Sequence, residues 1–178
     1  MSPPPLTHRL ARHDDLDTLR ALMDMAIAEL QKGFLDAPQI AASRTLMGLD
    51  TQLVDDGTYF VVETEGRIAG CGGWSRRATL YGGDHTPGRS AALLDPQNDA
   101  ARIRAMYTHP AHVRRGVGRL IIALCEDAAR REGFGRAEMM ATMSGVPLYR
   151  ACGYVPIEQV LDERGGVPVP LVRMSKAL

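Results

Sequence analysis

The sequence predicts one α/β domain built on a mixed β-sheet. Strand-like runs alternate with two long amphipathic helical segments, which is typical of α/β folds. The chain has 178 residues, of which 45% are hydrophobic, so it is long enough to bury one sizeable core. No repeat or linker divides it. We therefore expect residues 7–178 to form a single domain that follows a flexible N-terminal tail of residues 1–6.

The first third of the chain predicts a short strand and two helices. Residues 7–12 can form the strand, and an aspartate after it can cap the next helix. Apolar residues recur at helical spacing over residues 16–30, which predicts an amphipathic helix. A second helical stretch covers about residues 38–47.

The middle of the chain predicts a β-hairpin and then a long irregular segment. The hairpin consists of strand-like residues 59–63 and 67–74, joined by turn residues 64–66. Residues 76–99 contain glycine and proline and lack periodicity, which indicates a long loop or a mobile flap.

A basic turn with two glycines joins a strand to a helix in the second half. Residues 102–110 predict the strand, Gly116 and Gly118 lie in the turn, and residues 120–133 predict the helix. Such a turn can hold a phosphate, because N–H groups at a helix start lack helical partners and the helix dipole favours negative charge. A nucleotide-binding protein is an alternative, but the Lys-Ser/Thr of a P-loop and the third glycine of a dinucleotide fingerprint are missing.

The last quarter of the chain predicts three strands and one short helix. The expected elements are a strand over 136–143, a helix over 147–152, a strand over 154–161, a turn over 164–166 and a final strand over 169–174.

The composition argues against several function classes. Lys+Arg and Asp+Glu both number 21, so no basic footprint indicates a nucleic-acid partner. The histidines and cysteines lack metal-ligand spacing, and we expect no metal. Three cysteines without a CxxC pair favour reduced thiols. We expect neither a signal peptide nor a membrane partner, since no apolar stretch approaches the roughly 20 residues that span a bilayer. A cytoplasmic protein is the expectation.

Two motifs and the order of the elements resemble the GNAT superfamily of acyl-CoA-dependent N-acyltransferases. The family's turn is written (Gln/Arg)-x-x-Gly-x-(Gly/Ala); here Gly116 and Gly118 fill the small positions and Val113 stands first. Residues 148–154 are similar to the family's aromatic-Tyr-x-x-x-Gly-(Phe/Tyr) segment, with Leu148 in place of the first aromatic. The resemblance implies the GNAT fold: a mixed central sheet of about six to seven strands, flanked by about four helices and splayed around a bulged cofactor-binding strand.

The resemblance also implies acetyl-CoA as the co-substrate. Amides of the turn would hold its pyrophosphate, and the preceding strand would pair with its pantetheine arm as another strand would. Ile103, Ala105 and Tyr107 keep one alternation from which Met106 departs, which itself indicates a bulge. Thr142 occupies a position where many members carry an asparagine near the cofactor. The residues expected to contact the co-substrate are Met106, Tyr107, Thr108, Arg114, Arg115, Gly116, Val117, Gly118, Arg119 and Thr142.

Acyl transfer to an amine requires a neutral amine, a polarised carbonyl and a protonated leaving thiolate. Tyr149 stands at the family's tyrosine position and is expected to protonate the thiolate, while the N–H of Met106 meets the developing oxyanion. Glu138 is the expected base. Glu63, Glu65, Asp99 and chains of water molecules remain open as alternatives for that role.

A small-molecule amine is the expected acceptor. Trp74, Arg76, Arg77, Tyr81 and Asp84 are candidates for lining its cleft, because the segments that carry them vary between members of the family. A catalytically silent acyl-CoA-binding module of the same fold is the alternative to an N-acetyltransferase. The class is compatible with a homodimer, and the sequence leaves the oligomeric state open.

Overall fold

A computed structural model describes residues Met1–Leu178. One mixed sheet of seven strands is flanked by five α-helices, so the predicted α/β fold is confirmed. The strands are β1 (Thr7–Leu10), β2 (Tyr59–Thr64), β3 (Arg67–Ser75), β4 (Ala101–Thr108), β5 (Arg136–Thr142), β6 (Val155–Asp162) and β7 (Val169–Ala177). The helices are α1 (Leu16–Leu30), α2 (Ala37–Ser43), α3 (Thr51–Asp55), α4 (Val117–Arg131) and α5 (Val146–Ala151). None of these helices combines the length and apolar character that crossing a membrane requires.

Most of the predicted elements are present within a few residues of their expected bounds. Helix α3 was not predicted, because five residues are too few to produce a helical period. Residues 76–99 form a long loop, as expected, held by one isolated bridge between Arg77 and Leu93. The β2–β3 hairpin turns at Glu65 and Gly66, both at positive φ, which is the geometry that matches the twist of a two-residue hairpin.

The strand order is β1-β2-β3-β4-β5-β7-β6. Neighbours are antiparallel except β4 and β5, which run parallel. These two pair only at Ala101↔Ala137 and Arg102↔Glu138, where both strands begin. Beyond that point they separate, and the remaining length of β4 has a free edge facing β5. The predicted splay of the sheet is therefore present.

A β-bulge lies in the middle of β4, as the broken alternation predicted. Tyr107 pairs with Cys71 and Arg104 pairs with Gly73, so two residues of β4 lie opposite one residue of β3. Ala105 has a φ of 51° within the bulge. The hydroxyl of Tyr59 donates to the Ala105 carbonyl at 2.6 Å and holds this strained residue in place.

The bulge changes which face of the sheet each side chain reaches. Ile103 and Met106 pack against the core under α4, whereas Ala105 and Tyr107 pack against the core under α1. An unbroken strand would put Ile103 and Tyr107 on the same face, since side chains alternate with period two. The two cores cover opposite faces of the sheet, so β4 is buried between helices and its free edge opens into the gap beside β5.

Candidate active site

The gap between β4 and β5 forms a pocket that is open to solvent. It lies where the two strands no longer pair, and most of its lining residues are hydrophobic. Helix α5 and the segments after α2 and β3 close its sides. The lining residues are Leu46, Met47, Gly48, Leu80, Tyr81, Gly82, Ile103, Arg104, Ala105, Met106, Tyr107, Met139, Met140, Thr142 and Tyr149. We call this pocket the cleft.

The turn after β4 presents free main-chain amides. Arg114 and Gly116 have φ values of 59° and 83°, and Gly116 caps α4 in the left-handed conformation that glycine tolerates best. None of the N–H groups from Arg114 to Arg119 donates a hydrogen bond within the chain, and the first helical bond of α4 runs from Leu120 N to Gly116 O at 3.0 Å. A row of free donors at the positive end of a helix dipole can bind an anion.

The side chain of Arg115 adds charge beside these amides. Its Nη1 lies 2.9 Å from Nδ1 of His112, and its Nη2 is buried without any partner. Burial and the neighbouring guanidinium lower the pKa of His112, so the neutral ring can accept from Arg115. Arg119 is exposed, and its side chain forms no hydrogen bond or ion pair within the chain. The unpaired guanidinium donor therefore fits a negatively charged group at this turn.

Two residues of the turn also have packing roles. Val117 is 2% exposed and belongs to the core under α4. A Cβ on Gly118 would lie 2.6 Å from Cδ2 of Leu148, so this glycine lets the start of α4 approach α5 closely. Gly118, which is expected to contact the co-substrate, is therefore also required by the contact between helices. This contact ties the turn to the helix that carries Tyr149.

The free edge of β4 can offer main-chain groups, while the polar group of the Tyr107 side chain is already used within the protein. Its hydroxyl accepts a hydrogen bond from Gly48 N at 2.8 Å, and its ring is buried. Ala105 O points towards Tyr59, and in a trans peptide the N–H of Met106 points the opposite way. Thr108 ends the strand just before the turn with free amides. Strand edge, bulge and turn thus form a continuous main-chain surface.

Tyr149 lies on α5 and lines the cleft with a phenol that has no hydrogen-bond partner in the chain. Burial raises the pKa of Tyr149 above its usual value, so the hydroxyl is protonated at neutral pH and can donate. Thr142 lines the same cleft, and its hydroxyl lies 3.2 Å from that of Ser144. A neutral acid and a small hydroxyl thus border the open part of the cleft.

Glu138 does not suit the role of base that the sequence suggested. It pairs with Arg102 at the closed end of the cleft, where β4 and β5 still form a ladder. Arg102 and Arg173 both donate to its Oε2, and Arg136 lies 3.9 Å from its Oε1. Its side chain is 7% exposed and does not line the cleft. The Glu138 carboxylate is therefore engaged in ion pairs with arginines, away from the open part of the cleft.

The other candidate bases also lie in structural contacts. Glu63 accepts from Arg9 of β1 at 3.3 Å, Asp99 accepts from Asp95 N at 2.8 Å, and Glu65 occupies the hairpin turn. None of them lines the cleft.

Of the residues expected to line the acceptor side, only Tyr81 does so. Trp74 is buried against Phe134; the remaining three make polar contacts elsewhere. These contacts join Arg76 to Glu132, Arg77 to Asp56, and Asp84 to the Thr51 amide. The hydrophobic wall after α2, which comprises Leu46 and Met47, could not be predicted, because no local pattern shows that a loop faces a distant strand.

Arg104 is a further cleft residue that sequence reasoning missed. Its Nη2 donates to Asp50 at 2.8 Å, and the two side chains are 3% and 1% exposed. Arg104 also donates to the carbonyls of Thr79 and Gly82, which anchors the loop after β3 at the rim of the cleft. Its charge is neutralised within the protein, so the cleft is largely apolar. No group of three or more His, Cys, Asp or Glu side chains is placed to hold a metal ion.

Comparisons with known proteins agree on one family. The family model described as the acetyltransferase (GNAT) family matches residues 19–154. No curated protein matches the sequence significantly.

Solved structures with the same fold cover nearly the whole chain. A GCN5-related N-acetyltransferase from Rhodopseudomonas palustris is 21% identical and has a TM-score of 0.71, over 100% of this chain and 98% of that one. A ribosomal-protein-alanine N-acetyltransferase from Brucella melitensis is 17% identical, with a TM-score of 0.64 over 97% and 99% of the two chains. The PaiA N-acetyltransferase from Thermoplasma acidophilum, in complex with coenzyme A, is 10% identical, with a TM-score of 0.63 over 98% and 99%.

Proposed function

The chain belongs to the acetyltransferase (GNAT) family, and from this premise we propose that it transfers the acetyl group of acetyl-CoA to a primary amine of a small molecule. The observation that carries the proposal is the continuity of the site. Free amides from Arg114 to Arg119 follow directly on the free edge of β4, and that edge lines the cleft that contains the unpaired phenol of Tyr149.

The turn and the strand edge would hold the co-substrate. The amides of the turn, with Arg115 beside them, suit a pyrophosphate because they offer several donors and positive charge at one point. Met106 and Thr108 lie on the free edge of β4, where the amide groups of a pantetheine arm can pair as a strand would. This arrangement would lead the thioester along β4 towards the bulge.

The bulge of β4 would stabilise the oxyanion, and Tyr149 would protonate the leaving thiolate. The N–H of Met106 points away from the Tyr59 side of the strand and is available to stabilise negative charge on the thioester oxygen. Tyr149 would donate its proton to the sulfur as the C–S bond breaks, since its raised pKa keeps the phenol protonated at neutral pH.

The cleft favours an acceptor whose amine is attached to an uncharged, apolar body. Its acceptor side is formed by Leu46, Met47, Leu80 and Met140. The charged groups near it are already paired within the protein: Arg104 with Asp50, and Asp162 with Arg164. A second charge on the acceptor close to its amine would be desolvated without a partner.

The test measures acetyl transfer to a panel of primary amines, and the release of the thiol from acetyl-CoA is the readout. We expect acceptor-dependent release for the wild type and a loss of about 100-fold in kcat for Tyr149→Phe, within the range typical of general acid–base catalysis. Tyr154→Phe is the matched control, because the Tyr154 hydroxyl bonds Glu126 in the core at 3.3 Å. It should keep kcat within about threefold.

The outcomes separate the possible functions. Tight acetyl-CoA binding by thermal shift, with no turnover on any amine, would favour a silent acyl-CoA-binding module. The absence of any thermal shift would overturn the assignment of the co-substrate. Equal losses in Tyr149→Phe and Tyr154→Phe would refute the donor role of Tyr149 and leave acetyl transfer standing.

A further inference from the structure

A second depression adjoins the cleft and shares one wall with it. It lies between α1 and the segment that follows α2, and we call it the side groove. Met47 and Gly48 line both the cleft and the side groove. The other lining residues of the side groove are Arg20, Met23, Asp24, Ile27, Arg44, Leu49 and His85. The main chain at Met47 and Gly48 therefore separates the proposed reaction site from a groove that is open to solvent.

His85 is held in one tautomer in the side groove. Its Nε2 lies 2.7 Å from the main-chain carbonyl of Arg44. A carbonyl oxygen only accepts hydrogen bonds, so Nε2 carries the hydrogen and Nδ1 of the neutral ring has the free lone pair. Nδ1 has no hydrogen-bond partner in the chain. The ring thus has an unused proton acceptor in a fixed orientation.

The ring of His85 lies directly against Gly48. A Cβ on Gly48 would be 3.0 Å from Cε1 and 3.8 Å from Nδ1 of the ring, and Gly48 has a φ of 132°, so this position requires glycine. The amide of Gly48 donates to the Tyr107 hydroxyl on the opposite side. At this point a single main-chain segment lies between His85 and Tyr107, which is next to the β4 bulge.

The cleft itself contains no free base. Neither a carboxylate nor a histidine is among its lining residues. Asp50, behind Arg104, accepts from Arg104 and Arg89. Asp162 accepts from the Tyr81 hydroxyl at 2.7 Å and from Arg164. A charged amine that enters the cleft would therefore find no side chain there to remove its proton.

We propose that His85 removes the proton of the acceptor's ammonium group, through a water molecule at the Gly48 wall, and releases it to solvent in the side groove. The proposal rests on the acetyl transfer proposed above. His85 takes one proton and leaves the neutral amine, whose nitrogen forms the N–C bond as the C–S bond breaks. Tyr149 gives a proton to the sulfur, and the proton lost from the amide nitrogen replaces it on the phenol. The net reaction releases one proton, through His85.

The charged groups around the ring of His85 are paired with one another. Arg20, Asp24 and Arg44 line the side groove, and Asp24 pairs with Arg44 at 3.0 Å. On the loop that carries His85, Asp84 lies 3.8 Å from Arg89. Each nearby carboxylate is thus in contact with an arginine, and none of them forms an ion pair with His85.

The test compares amines of different basicity in His85→Gln. Glutamine can still donate to the Arg44 carbonyl but cannot accept a proton from an ammonium group. The substrates are a primary alkylamine that the wild type acetylates, with a pKa of about 10 as for lysine, and the O-alkylhydroxylamine of the same carbon frame, which is already neutral at pH 7. For the alkylamine we expect kcat/KM to fall about 100-fold, within the range typical of a general base. For the O-alkylhydroxylamine it should stay within about threefold of wild type.

His13→Gln serves as the matched control, because His13 is exposed and pairs with Asp55 on a distant surface. It should leave both rates unchanged. Equal losses on both substrates in His85→Gln, or no loss on either, would overturn the proposal while acetyl transfer by the wild type stands. If the wild type acetylates no amine, acetyl transfer itself fails, and the role of His85 fails with it.

Discussion

The buried ion pair between Arg104 and Asp50 should contribute more to stability than any surface pair of this protein. The perturbation is Asp50→Asn, which keeps the shape of the side chain and removes its charge. Asp50 accepts from Arg104 Nη2 at 2.8 Å, from Arg89 Nη2 at 2.9 Å and from Gln52 N at 3.1 Å, where it caps α3. After the substitution, the Arg104 guanidinium remains buried and has only carbonyl oxygens as partners.

The magnitude follows from burial. The side chains of Arg104 and Asp50 are 3% and 1% exposed, so solvent cannot replace the lost charge. Removing one partner of a buried pair costs about 3–5 kcal/mol. The carbonyls of Thr79 and Gly82 still accept from Arg104, which favours the lower end, about 3 kcal/mol. For a chain of this length, that loss lowers the Tm by about 6–12 °C.

The assay is urea unfolding followed by circular dichroism, with Asp17→Asn as the control. Asp17 pairs with Arg20 at 3.2 Å, but its side chain is fully exposed, and its substitution should leave the unfolding midpoint unchanged. Arg104→Met and the double variant complete a double-mutant cycle, from which we expect a coupling free energy of about 2 kcal/mol between Arg104 and Asp50. A loss below about 1 kcal/mol for Asp50→Asn, or additive single losses, would refute the reasoning.

Two further predictions concern packing and thiol chemistry. Gly70→Ala should lower the free energy of unfolding by about 1–3 kcal/mol and raise the KM for acetyl-CoA. Its Cβ would lie 2.4 Å from Cγ1 of Val117, at the start of α4. Gly33→Ala is the control and should change neither quantity, because a Cβ on Gly33 would have no atom within 4 Å. In the native protein we expect a thiol reagent to modify Cys152 first, so that about one thiol per chain reacts quickly. The other two thiols are buried, and burial raises the pKa of Cys71 to about 12. Since only the thiolate reacts, these two should react more slowly. Three equivalents reacting at one rate would contradict this.

Much of the fold could be predicted because its signals are local. Periods of 3.6 and 2 revealed α1, α4 and the β2–β3 hairpin, since each element must bury one face. The departure of Met106 from the alternation revealed the bulge. Helix α3 gave no such signal because of its length.

The candidate site could be predicted only in part, for a physical reason. Tyr149 and the turn from Arg114 to Arg119 belong to contiguous motifs, so the sequence indicated them directly. Glu138 looked equally suitable on the alternation of β5. Its neighbours are arginines of β4 and β7, and only the register of three strands brings them together.

By itself, the sequence determined the class of fold, the glycine-containing turn before α4 and the tyrosine on α5, because each depends on residues that are adjacent along the chain. Tertiary structure decided which charges are already neutralised and which are free. It paired Asp50 with Arg104, separated by 54 positions, and placed His85 against Gly48. Free energies of charged and titratable groups depend on burial and on partners within a few ångströms. Those partners come from distant parts of the chain, and only folding brings them together.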